Sequence, residues 1–167
     1  SSGRLALELI LVAAAVIAAR LWYLAFTHET YEDALISLRY ARNLVAGLGL
    51  VYNPGERVFG ATTPLHVLLL AGFAGLHLPD PLYASKLLSM AADAVTAVVW
   101  YRLIAQETGS RAGALVFAAA FGLSPLIVEI TDSGMETALV LMVLTLAFEA
   151  VCSRRGAALG VWLGLLL

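Results

Sequence analysis

The chain has 167 residues, of which 61% are hydrophobic and only 13% charged, with a net charge of −2. Soluble domains carry about twice that charged share and cannot hide so much apolar surface at this size, so a soluble fold is excluded and a lipid-embedded one expected. No basic tract points to nucleic acid as a partner, and the single cysteine, Cys152, excludes an internal disulfide.

The first apolar run, Leu5 to Phe26, is too long for a signal-peptide core and reads as a retained anchor. At about 1.5 Å per residue it crosses a hydrocarbon core of about 30 Å. Glu8 and Arg20 lie toward its two ends, where charged heads are expected to reach the headgroups. Trp22 and Tyr23 suit an interfacial aromatic belt.

Thr27 to Thr63 is the most polar stretch. Its first half predicts a helix over Glu32–Val45, with Ala34, Leu38, Ala41 and Val45 on one stripe. Glu32, Asp33, Ser37, Arg39, Tyr40 and Asn43 fall on the opposite arc. Such a helix lies along the membrane surface with its polar face toward water or a pocket. Gly47 and Gly49 end it, and Tyr52-Asn53-Pro54-Gly55 makes a tight turn.

Pro64 to Leu78 is apolar but short for a span, and suits a re-entrant or juxtamembrane helix. Leu82–Ile104, Ala112–Ile130 and Met135–Cys152 read as spans, the second kinked by Pro125. Gly156–Leu167 starts another, whose 12 residues cover roughly 18 Å. The expected fold is therefore all-α and integral to the membrane, with about five hydrophobic spans, the last truncated. The whole chain, 1–167, is read as one transmembrane domain and as the N-terminal part of a larger module.

Arginines set the expected orientation. Arg4, the Arg102/Arg111 pair and the Arg154/Arg155 pair all belong on the cytoplasmic side by the positive-inside rule. They can share that side only if Pro64–Leu78 does not cross. Residues 27–81 then form an outer loop, and Asp132-Ser133-Gly134-Met135-Glu136 faces the same compartment.

Several polar residues could carry chemistry there. Glu32 and Asp33 form a carboxylate pair suited to general-base work, although Thr30-Tyr31-Glu32-Asp33 also has capping-box spacing. Arg39, Arg42, Arg57 and Lys86 could bind a phosphate at the interface, or else pair with acids and lipid headgroups. Ser133-Gly134-Met135-Glu136 repeats the capping-box ambiguity beside Asp132. Glu129, near a span end, needs a partner or a wet cavity. His66 and His77 could join acids at a metal, though no ligand spacing supports that over a simple polar role.

Two segments together resemble a known family. Tyr31-Glu32-Asp33-Ala34-Leu35-Ile36-Ser37-Leu38-Arg39-Tyr40, continuing through Tyr52-Asn53-Pro54-Gly55 to Thr63-Pro64-Leu65, is similar to the first outer loop of GT-C fold glycosyltransferases. The likeness is to the bacterial set similar to mycobacterial terminal arabinofuranosyltransferases. Ser133-Gly134-Met135-Glu136-Thr137-Ala138-Leu139 is similar to a second segment of that group. The resemblance implies an inverting transferase at the bacterial inner membrane, active face outward, with a polyprenyl-phosphate-linked sugar donor. It implies Asp33 as catalytic base with Glu32 beside it; Arg39, Arg42, Arg57 and Lys86 are, by their own chemistry, the candidate donor-phosphate contacts, and Tyr40, His66, Asp132 and Glu136 the other candidate pocket residues. A divalent cation serves some relatives and not others. Glu32 stands where aspartate is common, Phe59 and Ala61 where an acid and an aromatic often occur, and His66 where tryptophan is frequent.

The chemistry is coherent with that set. An acceptor hydroxyl needs a base as the anomeric carbon is attacked. A phosphate leaving group is already anionic and needs charge stabilisation, with no acid. The alternative expectation is a non-catalytic subunit of a larger membrane complex, packed through Ala118-Ala119-Ala120 and similar small-residue surfaces. A transporter is less in keeping with the few mid-span charges expected.

Overall fold

A computed structural model describes residues 2–27, 30–56, 58, 60, 63–78 and 80–166. Among these the chain is helical, with no strand: α1 Ser2–Thr27, α2 Glu32–Val45, α3 Pro64–Gly75, α4 Pro81–Thr108, α5 Arg111–Leu123, α6 Pro125–Asp132, α7 Thr137–Cys152 and α8 Gly156–Gly164. Two helices, α1 and α4, are long and apolar enough to cross a membrane, and α5 with α6 makes a third if that bent pair is one span. The expected α2 boundaries are those observed.

Local chemistry sets the breaks. Asp80 caps α4, its Oδ1 accepting from the Leu82 and Tyr83 N–H groups at 2.9 and 3.1 Å. Gly109 ends that helix in the left-handed region at φ 67°. Ser110 then caps α5 by accepting from Gly113 N–H at 3.0 Å. Pro125 lacks an N–H and disfavours helical backbone at Ser124, whose ψ is 118°. The result is the expected kink, a bend of 53° between α5 and α6.

Helix α4 is the axis, packed by α1, α5, α6 and α7 and, at its N-terminal end, by α2 and α3. Helix α1 runs antiparallel to it and α7 parallel, Ala92 packing near Ala138 and Trp100 near Phe148. Tyr101 reaches Glu8 while Asp93 reaches Arg20, and Trp100 donates to Thr145 Oγ1 at 3.2 Å. One core joins Val12 and Val16 of α1, Ala94, Ala97 and Tyr101 of α4, and Ala114, Ala118 and Phe121 of α5. Its alanines let the backbones approach closely, as lipid supplies no hydrophobic drive between helices. A second core, Ala34, Leu38, Tyr40, Ala41, Val67, Leu70, Ala71 and Leu82, holds α2 and α3 on the other end of α4.

Arg4, Arg102, Arg111 and Arg155 gather at one end. Glu8 accepts from Arg4 and Arg111, each at 3.2 Å. Arg102 shares a cavity with Glu149, Ser153 and Arg155. Helix α3, with 12 residues, covers only about 18 Å.

Two features of α2 differ from the amphipathic reading. Val45, assigned to the apolar stripe, is 48% exposed, while Ser37 and Tyr40 of the polar arc are buried. Tyr40 turns inward because the following loop satisfies its hydroxyl, which donates to Val58 O at 2.9 Å and accepts from Gly60 N–H at 2.7 Å.

Candidate functional site

The two segments that carry the family resemblance meet at the N-terminal end of α2. Tyr31 N–H donates to Ser133 O at 3.0 Å, and the Tyr31 hydroxyl donates to the Glu129 carboxylate. Glu129 thus has the partner its position requires. Gly134, at φ +86°, lies so close that an added Cβ would sit 3.0 Å from Leu82 Cδ1 and 3.3 Å from Ala34 Cβ. Met135 packs into the core between α2, α3 and α4.

Neither capping box forms. Tyr31 occupies the N-cap of α2 and no side chain caps it. Glu32 and Asp33 lie exposed in the first turn, where the helix dipole favours negative charge. Ser133 closes the turn before α7: its Oγ donates to Ile130 O at 2.6 Å and accepts from Met135 N–H at 3.2 Å. The N-cap position of α7 is Glu136, again without a side-chain cap.

Behind this turn, His66, Ser85 and Glu136 come together from α3, α4 and the α6–α7 connection. His66 Nε2 lies 2.8 Å from Ser85 Oγ, and its Nδ1 lies 3.8 Å from Glu136 Oε2. Burial pushes the imidazole below its ordinary value, against a smaller upward pull from the Glu136 carboxylate. His77, by contrast, is exposed just past α3. Among the described residues no group of three or more His, Cys, Asp or Glu is placed to hold a metal ion.

The expected phosphate ligands are dispersed. Arg39 is engaged with the loop after α2: its Nε donates to Tyr52 O at 2.9 Å, and its guanidinium lies 4.6 Å from the Tyr52 ring centroid. Arg42 is exposed near the end of α2. Lys86 is buried at 4% exposure, although expected to reach back to the surface. It lines a recess of about 230 Å³ with Leu24, Thr30, Asp80, Leu82 and Tyr83. Arg57 lies outside the described residues, as do Phe59 and Ala61.

A buried charge network was not expected. Arg20, assigned to the headgroups, has 0% exposure and pairs with Asp93 Oδ2 through Nε at 3.1 Å and through its terminal nitrogen at 2.9 Å. It also donates to the Val16 and Gly122 carbonyls, while Thr131 donates its hydroxyl to the same Asp93 oxygen. Asp132, also buried, lies within electrostatic reach of Lys86, Arg20 and Asp93, and neither of its oxygens has a hydrogen-bond partner. A signal existed in the sequence: Lys86, Ser89, Asp93 and Thr96 recur at helical spacing inside an apolar run, marking one polar face on α4.

Apolar helices of crossing length around buried, paired charges define an all-helical protein suited to a lipid bilayer. Compared with protein-family models, curated proteins and solved structures, the chain matches none.

Proposed function

We propose that this chain belongs to a membrane glycosyltransferase of the GT-C kind, which moves a sugar with inversion from a polyprenyl-phosphate donor to an acceptor outside the cytoplasm. The observation that carries the reading is the junction of the two resembling segments, through the Tyr31–Ser133 hydrogen bond and the Gly134–Ala34 contact. It leaves Asp33 exposed at the end of α4 opposite the arginines, where an acceptor hydroxyl could reach it. In this reading α7 joins α1, α4 and the α5–α6 pair as a span and α8 begins a further, truncated one, about five in a bacterial inner membrane. Arg4, Arg102, Arg111, Arg154 and Arg155 face the cytoplasm and residues 27–81 the outside. Lys86 or Arg42 contributes positive charge toward the donor phosphate, with or without a divalent cation.

The test is sugar transfer from a polyprenyl-phosphate donor by the purified full-length protein and its Asp33→Asn and Glu32→Gln variants. Asparagine keeps the hydrogen-bonding oxygen but cannot take a proton. A base at Asp33 predicts a normally folded Asp33→Asn protein whose turnover falls by roughly 10²–10⁴. Unchanged turnover removes the assignment, and loss in Glu32→Gln alone moves it by one residue. A second reading, a non-catalytic subunit, is favoured by α8, an apolar helix that buries no residue here and so has faces open to another helix. Absence of transfer by the unmodified full-length protein from any such donor favours that reading.

A further inference from the structure

We infer that the groove between α1 and α5 holds one acyl chain of an anionic phospholipid, with the lipid phosphate at Arg4 and Arg111. This goes beyond the glycosyl-transfer reading and does not depend on it. The groove encloses about 360 Å³ and is apolar along its length, with Leu11, Ala15, Leu115, Ala119 and Gly122 among its walls and Glu8 at one end. Helices α1 and α5 run parallel here, since Arg111 meets Glu8 and Gly122 meets Val16.

Depth argues for a lipid of one leaflet. From Glu8 to Val16 the groove follows about 12 Å of helix axis. Half of a ~30 Å core is about 15 Å. At Gly122 the helices touch, an added Cβ there lying 3.2 Å from Val16 Cγ2. Just beyond, Arg20 bonds the carbonyls of both residues. The groove thus closes near mid-membrane, and its other end lies at Glu8 beside the exposed Arg4 and Arg111 side chains. A further transmembrane helix would need a seam across both leaflets.

Charge selects the headgroup. Glu8 is the one carboxylate among the described residues lining the groove and already accepts from Arg4, Arg111 and the Tyr101 hydroxyl. Two guanidiniums face one carboxylate, and the arginine side chains are 72% and 47% exposed, with donors left for a phosphate.

Native mass spectrometry of the purified chain with phosphatidylglycerol and phosphatidylcholine of identical acyl chains tests this. One tightly retained phosphatidylglycerol is expected. Its preference over phosphatidylcholine should fall about fivefold for Arg4→Gln or Arg111→Gln, and about 30-fold for both together. Ala119→Trp, or Ala119→Leu if the larger residue lowers the melting temperature, should weaken both lipids by filling the groove. Equal retention of the two lipids, or a preference untouched by the arginine changes, overturns the proposal. So does a photoreactive side chain at position 119 that captures protein in place of lipid.

Discussion

His66 is held neutral by the company it keeps. It is enclosed at 1% exposure, bonded to Ser85, and near enough to Glu136 to feel its charge without a hydrogen bond. Its folded value lies below the ordinary 6.5, so as pH falls the unfolded chain takes up the proton first. Stability from this site is therefore complete above about 6.5 and declines below it. Thermal melts of the wild type and of His66→Gln between pH 7.5 and pH 5 should converge on acidification. A gap that stays constant or widens contradicts the burial account. At the Arg20–Asp93 pair, removing one partner strands a buried charge. Asp93→Leu should lower stability by about 3–5 kcal/mol, while Arg20→Met with Asp93→Leu should recover most of it, as read from melts in detergent. These residues show why the site was only partly legible. Arg20 and Asp93 are 73 positions apart, and nothing in the pattern of α1 tells that an arginine one turn from an aromatic belt points inward. His66 and Glu136 were both picked out as pocket residues, but their adjacency depends on how α3 and the α6–α7 turn pack, which neither local spacing contains.

Elements were easier to read than contacts. Glycine, proline and capping residues act within a turn or two, so the ends of α2, the start of α4 and the break at Pro125 could be placed from neighbours alone, whereas α4, expected to end at Ile104, continues to Thr108. The inward turn of Tyr40 could not, because it depends on Val58 and Gly60, about 20 residues away. Val45 lost its place on the buried stripe because α3 and α4 pack against the earlier turns of α2 and leave its last turn uncovered. The α6–α7 turn depends on Gly134. Alanine there must adopt φ near +86° and meet Ala34 and Leu82 at 3.3 and 3.0 Å. Left-handed backbone alone costs a non-glycine residue about 1–2 kcal/mol. Gly134→Ala should therefore lower the melting temperature and, if the transferase reading holds, turnover as well, by loosening the junction with Tyr31. Gly156→Ala, where nothing lies within 4 Å of the added Cβ, is the matched control. Equal effects from the two substitutions would show that close packing at the junction does not matter.

At the scale of the molecule, the side of the membrane on which each loop lies decides whether 27–81 can be an outer face at all. The packing places Arg4 and Arg111 on a shared carboxylate, and Arg102 with Arg155 around one cavity, so both connections belong to one end of the bundle. Helix α3, at about 18 Å, is shorter than a ~30 Å core, and its core partners on α2 and at Leu82 lie at the opposite end. Positive charge on loops marks the cytoplasmic side. Cysteine labelling can read this directly once the exposed native Cys152 has been changed to serine. Single cysteines at Ser110 and Ser153 should both react with an impermeant maleimide only after the membrane is opened. A cysteine at Leu48, half exposed after α2, should react in intact cells. If Ser110 and Ser153 label from outside, α3 crosses, or the whole bundle is inverted. Labelling at Leu48 separates these outcomes: from outside it means a crossing α3, and from inside an inverted bundle. An inverted bundle would put Asp33 on the cytoplasmic side, and a crossing α3 would leave Asp33 outside but part it from the Ser133–Glu136 turn. Agreement at all three positions fixes the orientation that the transfer assay assumes.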